Sequence, residues 1–278
     1  MRIYSALLLF LIFLGNAQNQ RFFYEYKFIS DSTDIQDVKT EMMNLDITGT
    51  GSRFYSYTVY HSDSLMKVDL EKQLQATGSI NIKTDMRKGN IRYYISKTYP
   101  DYKVYFHNKI LMDGYKVEEN RKIKWNILPE KTKIGVWNVQ KAETDFGGRH
   151  WTAWFCSELP IQDGPYKFHG LPGIIVKIED KTHSHIFELK GISKIGESVA
   201  DNDVFKLSEI SVNPKQYEKA VKDYENDPTK GMKELSVGGA SIIMTGKSAD
   251  NEKFMREREK EVKERIKKNN NKIELTSN

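Results

Sequence analysis

Six histidines, one cysteine and a scatter of carboxylates are the side chains with which this chain can do chemistry. His183 and His185 stand two apart on a segment that reads as a strand, so both project from one face, an arrangement able to hold a metal ion. Phe187 and Leu189 share that face, and a histidine among apolar neighbours is more simply a partly buried residue satisfied by a hydrogen bond. No metal and no other cofactor is therefore expected. His150 and His169 lie near Glu158, Asp163 and Asp180, the raw material of acid–base catalysis, although no spacing pairs a particular histidine with a particular carboxylate. The chain has no His-Glu-x-x-His zinc helix and no Gly-x-Ser-x-Gly elbow, and Thr245-Gly246-Lys247-Ser248 lacks the upstream glycine of a phosphate loop. Cys156 is alone, so no internal disulfide can form, and it reads as a small buried residue on a strand. The denser constellation is one for binding. Arg149, Trp151 or Trp154, Tyr166 and His169 combine a cation with large rings around one loop, and are the expected lining of a ligand mouth.

That loop must be positioned by the strands on either side of it. From Arg149 to Cys156, Trp151, Ala153 and Phe155 point one way while Trp154 and Cys156 point the other. A strand apolar on both faces is covered on both sides, or has one face on a cavity. Gly164-Pro165 and Gly170-Leu171-Pro172-Gly173 follow, before a second strand from Ile174 to Ile178. Pro160, Pro165 and Pro172 fix φ, and the glycines permit dihedrals that other residues avoid. A loop of roughly 20 residues inside a compact domain is often functional. The plainer reading is a corner set by Gly and Pro, with Phe168 and Leu171 plugging the core.

Gly170-Leu171-Pro172-Gly173-Ile174-Ile175 closely resembles the hexapeptide of the GLPGLI family, exported proteins widespread in the Bacteroidetes, with Ile174 where that motif has Leu. Gly148-Arg149, Trp151, Ala153-Trp154-Phe155, Pro160-Ile161 and Gly164-Pro165 are similar to that family's approach to the motif, as are Lys141-Ala142 and Phe146. Val139 stands where a Cys often precedes the Lys-Ala step, so no role of that thiol carries over. The resemblance is strongest from Trp125 to Asp180. It implies export, and no established biochemical activity.

Period-two alternation extends over much of the remaining chain. Phe22, Tyr24, Tyr26 and Phe28 mark a first strand, Met43, Leu45 and Ile47 a second, and Tyr55, Tyr57 and Val59 a third, with turn residues Gly49 to Ser52 between the last two. Ile91, Tyr93 and Ile95 mark another, and Asp113-Gly114 reads as the tight turn between strands Val104–Met112 and Tyr115–Leu128. Ile123, Trp125 and Ile127 against Lys122, Lys124 and Asn126 give the cleanest alternation, implying one buried and one solvated face. Gly135 to Ala142 and His185 to Leu189 complete the strands. Met66, Leu70 and Leu74 recur every four residues within a short helix from Ser62 to Ala76. Asn213 and Pro214 open a helix whose stripe is Tyr217, Ala220, Val221 and Tyr224, expected to dock on the sheet. A charged helix, about Asn251 to Lys268, reads as solvated, with the chain frayed from Asn269 onwards.

The compartment is read from the other end. Arg2, the apolar run Ile3 to Leu14 and Gly15-Asn16-Ala17 form a signal peptide with cleavage expected after Ala17, because about 12 apolar residues fall short of the roughly 20 that span a bilayer. No later segment is apolar enough to span, so no transmembrane span is expected after cleavage. A net charge of +5, evenly spread, does not point to nucleic acid. The expectation is a mainly β (α+β) protein: residues 1–17 a signal peptide, 18–246 one β-rich domain, and 247–278 a charged helix and frayed tail. Its sheet should be antiparallel and curved, or an incomplete barrel, with a few packed helices, one near the C-terminus. Located in the periplasm or cell envelope, it would act as a non-enzymatic binding or assembly module for a lipid, peptide or exported partner. An exported hydrolase using His150 or His169 with a nearby carboxylate is the alternative.

Overall fold

A computed structural model describes residues 19–79, 87–111, 113–196, 208–229 and 251–275. The expected signal peptide, the 246/247 boundary and the Thr245 to Ser248 stretch lie outside them. The chain begins with β1 (Gln20–Ile29), β2 (Val38–Thr48), β3 (Gly51–Ser56) and α1 (Tyr57–Thr77). It continues through β4 (Tyr94–Thr98), β5 (Val104–Ile110), β6 (Asp113–Glu119), β7 (Asn126–Ile134) and β8 (Trp137–Phe146). β9 (Arg149–Cys156), β10 (Ile174–Asp180), β11 (His185–Lys194) and β12 (Glu209–Val212) follow, then α2 (Pro214–Asn226) and α3 (Asn251–Lys267).

All twelve strands join one sheet in the order β12-β6-β5-β4-β3-β2-β1-β11-β10-β9-β8-β7. It is open rather than closed into a barrel. Alternation explains which face is buried. Phe22, Leu45, Phe54, Ile95, Phe106 and Val117 are successive cross-strand partners across six neighbouring strands, and all but Phe106 are buried. Each such burial contributes roughly 1.5–3 kcal/mol relative to exposure. The reverse face of these strands carries Asn44, Tyr55, Tyr94, His107 and Lys116 in register, a polar row. Tyr217 of α2 meets Phe106 and Tyr115 edge-on, which seats that helix on the apolar face. Its Asn213 cap and Gln216 form a reciprocal capping box, as the sequence of that helix start favours. No helix among the described residues is long and apolar enough to cross a membrane.

Several local expectations are corrected. The strand through Tyr55 stops at Ser56, whose hydroxyl accepts from the Val59 N–H 3.0 Å away and caps α1, so Tyr57 and Val59 are helical. Leu74 is 52% exposed while Met66 and Leu70 are buried, because only the first half of the α1 stripe meets the sheet. Asp113 and Gly114 pair with Ile110 and Lys109, so they belong to the ladder and do not form the turn, which Leu111 enters at φ 56°. Ile127 is 46% exposed: it is the second residue of β7, the sheet's edge strand, whose ladder begins at Asn126, past Ile123 and Trp125. β12 departs from the antiparallel rule by running parallel to β6. The chain from Asn269 to Leu275 is not frayed but hydrogen-bonded onto the domain: Asn271 N–H donates to Ser30 O at 3.0 Å and Leu275 N–H to Gly147 O at 2.7 Å.

Candidate functional site

β8 and β9 are joined by Gly147 and Gly148 at φ 62° and 77°, a two-residue turn with both positions left-handed. The turn aims the inward phase of β9 at the core. Trp151 is only 1% exposed, donates from Nε1 to Phe146 O at 3.0 Å, and meets Phe168 edge-on at 4.8 Å. Trp154 lies on the other face, half-buried, in register with Lys141 and Lys177. The two tryptophans therefore do not line a common mouth.

The chain between β9 and β10 crosses the apolar face and is pinned there by Asp163. That carboxylate accepts from Ser52 at 2.6 Å, from the Gly164 N–H at 2.6 Å, from Lys97 at 2.5 Å and from the Tyr99 hydroxyl. Lys97 has no exposed side chain and donates also to Gly164 O at 2.7 Å and Phe168 O at 3.0 Å. Burial pulls its ammonium pKa below the ordinary lysine range, against the opposing charge of Asp163. Phe168 and Leu171 are fully buried, and Pro165 is buried while Pro172 is exposed. Gly170 holds φ at 91°. At Gly173 a Cβ would lie 2.2 Å from Cys156 O, and at Gly164 one would lie 2.7 Å from the Ile175 side chain. Backbone shape and close approach thus account for the glycines of the motif.

Tyr166, at φ 54°, is buried, and His169 stacks on Tyr102 at 5.3 Å while its Nδ1 donates to Lys167 O. Burial, then the charge of Lys97, hold His169 below the ordinary histidine range. Of the two histidines in the hydrolytic alternative, exposed His150 meets Asp145 at 2.9 Å, whereas His169 has no carboxylate at hydrogen-bond distance among the described residues. His183 sits in a turn at φ 55° beside Glu179, so it does not share a strand face with His185, and no metal-ligand cluster occurs among the described residues. Buried His185 takes a 2.7 Å hydrogen bond between Nδ1 and the Tyr26 hydroxyl. Burial first, then the Arg149 charge, push it down to about 4.

Arg149 and Tyr166 are both engaged by the C-terminal segment. The Arg149 guanidinium donates to Asp180 at 2.9 Å, to Asn271 Oδ1 at 2.7 Å, to Lys272 O at 2.6 Å and to Ile273 O at 3.2 Å. Glu274 then places its carboxylate among Arg121 at 2.6 Å, Lys167 at 2.6 Å and the Tyr166 hydroxyl. Burial would raise the Glu274 pKa, but the Lys167 and Arg121 charges outweigh it and hold it below the ordinary carboxylate range. Glu119 bridges the same two cations, at 2.6 Å and 2.8 Å. Its pKa, lifted by burial, is carried down to about 2 by the Arg121 hydrogen bond and the Lys167 charge. The structure thus brings together Arg149, Tyr166, Arg121, Lys167 and Glu119, and leaves Trp154 and His169 elsewhere. Sequence patterning did not single out Arg121, Lys167, Glu119 or Lys97. For Glu119 and Lys97 a signal existed: each continues the inward phase of its strand after Val117 or Ile95.

No curated protein matches the chain significantly. Among solved structures it is similar to PNGF-II in a C2 crystal form, with TM-score 0.51 and 15% identity over 74% of this chain and 33% of that one. A P21 form gives TM-score 0.49 and 15% identity, covering 73% and 33%. The chain spans about a third of the length of PNGF-II, and a likeness at this identity is one of fold alone. Residues 115–177, which run from β6 into β10 and contain the whole Gly170 to Gly173 motif, match the family described as a protein of unknown function (Porph_ging).

Proposed function

We propose that this is an exported cell-envelope protein that acts as a non-enzymatic binding or assembly module, holding a peptide segment of an exported partner against the GLPG loop. The observation that carries the reading is the Arg149 guanidinium, which already grips two consecutive backbone carbonyls and one side-chain amide of a surface-laid segment. Backbone carbonyls are common to all peptides, so this grip recognises a polypeptide rather than a lipid. The apolar-ligand version of the reading loses its support, because Phe168 and Leu171 fill the face where a lipid would lie. The signal-like first residues and the series from Gly148 to Ile175, which resembles the GLPGLI family, support export and envelope residence. Native mass spectrometry of the protein gently extracted from its own envelope tests this. A polypeptide retained by the protein and lost on Arg149→Ala is the expected result. A bare mass, both for the natural chain and for a Glu274→Ala variant whose own tail is loosened, would refute it.

A further inference from the structure

Resting on that reading, we propose that the groove formed by Arg149, Arg121, Lys167 and Tyr166 is selective for a peptide bearing a carboxylate side chain three residues after an amide side chain, and that residues 271–274 are a built-in example of this ligand.

Charge balance argues first. Among the described residues Arg149, Arg121 and Lys167 face Asp180 and Glu119, and the side chain of Glu274 adds a third carboxylate to the three cations. It does so in a site whose walls are largely buried, where ion pairs are weakly screened: Arg149 is 7% exposed, Tyr166 2% and Lys167 7%. A neutral or cationic residue at that position forfeits the ion pairs to Arg121 and Lys167, which is how such a site discriminates. Preorganisation argues second. Asp180 orients Arg149, and Glu119 orients Arg121 and Lys167, so the donors hold their places through partners that are not part of the tail. The manner of docking argues third. Lys272 and Leu275 are exposed, and Asn271, Ile273 and Glu274 only half-buried, so the tail lies along the surface of the domain with Ile273 alone turned onto the core. Its side-chain contacts among the described residues include Asn271, read by Arg149 Nη2 and by Ile29 O at 2.9 Å, Glu274, Lys272 with Glu225 at 3.0 Å, and Ile273 packed on the core. Of these, Asn271 and Glu274 are the two that the cationic groove itself reads, since the Arg149 bonds to Lys272 O and Ile273 O use backbone.

The test uses the full chain and a fluorescent peptide of the sequence of residues 268–275. A variant with Asn271→Ala and Glu274→Ala should bind this peptide at least about tenfold more tightly than the natural chain does, because its own tail no longer competes. Replacing the peptide's glutamate by glutamine should weaken binding by about tenfold or more, the usual contribution of hydrogen bonds to a charged partner. Hydrogen exchange on the natural chain provides a second readout that needs no variant to fold: excess peptide should speed exchange of the Asn271 and Leu275 amides, and the glutamine peptide should not. Equal binding of both peptides would overturn the carboxylate selectivity while leaving the peptide-binding reading in place. No binding of either peptide, with exchange at both amides unchanged, would show the tail to be a fixed strap and sink both.

Discussion

Lys97 and Asp163 form the buried pair on which the position of the GLPG loop rests. Both side chains are fully enclosed, and Lys97 spends its three protons on Asp163 and two loop carbonyls. Removing one member of such a pair leaves a charge in the interior without its counterpart, which typically costs about 3–5 kcal/mol. Lys97→Met is therefore expected to lose about that much in urea unfolding. The double variant Lys97→Met with Asp163→Asn should lose less than the two single losses added, because the second change removes the orphaned charge. Additive losses would mean that the two side chains act independently.

At the scale of elements, the two-residue turn between β8 and β9 couples the motif strand to the tail. A Cβ on Gly147 would meet Glu274 Cγ at 2.8 Å, and the residue's φ of 62° is unfavourable for a side chain in any case. Gly147→Ala should therefore lose about 1–2 kcal/mol to backbone strain and also deprotect the Asn271 and Leu275 amides in hydrogen exchange. Gly78→Ala is the control. Its φ is 67° with nothing within 4 Å, so it carries the strain without the contact and should leave the tail protected. Five charged strand residues share one placement at this scale. Glu41, Lys97, Glu119, Arg149 and Asp180 all occupy the inward phase of a strand whose neighbouring inward positions are apolar. Four of them hold non-strand chain against the sheet: Glu41 accepts from the Asn90 and Ile91 amides, Lys97 holds the GLPG loop, and Glu119 and Arg149 serve the tail site.

The whole molecule should be sensitive to acid, for reasons that share one sign. His185 titrates near 6.5 in an unfolded chain but only near about 4 when folded, so its contribution is complete above the unfolded value and is lost as the pH falls towards the folded one. The interval corresponds to about 3 kcal/mol. His107 and His169, both held down mainly by burial, act in the same direction. Glu119 takes over below them, contributing above the ordinary 4.5 and losing its contribution on the way to about 2. Thermal unfolding midpoints should therefore fall steadily from neutral pH to about 4, and His185→Gln should flatten that slope. A midpoint unchanged across the interval would refute the buried neutral histidine.

Alternation and turn chemistry determined the strands, the choice of inward face, the capped helix at Asn213 and the β-rich class, because each depends on neighbours a few residues away whose sterics and hydropathy are written locally. The same locality explains the errors: Tyr57 and Val59 fit a strand by pattern, and only the hydroxyl of Ser56, meeting the Val59 N–H, makes them helical. Arg149 and Tyr166 were legible as unusual residues beside an unusual loop, but not their partners. Asn271 and Glu274 stand more than a hundred positions away and belong to a tail that the sequence leads one to expect frayed. Long-range pairing of charges is set by where the folded sheet places its cations, and that placement exists only once the strands have come together.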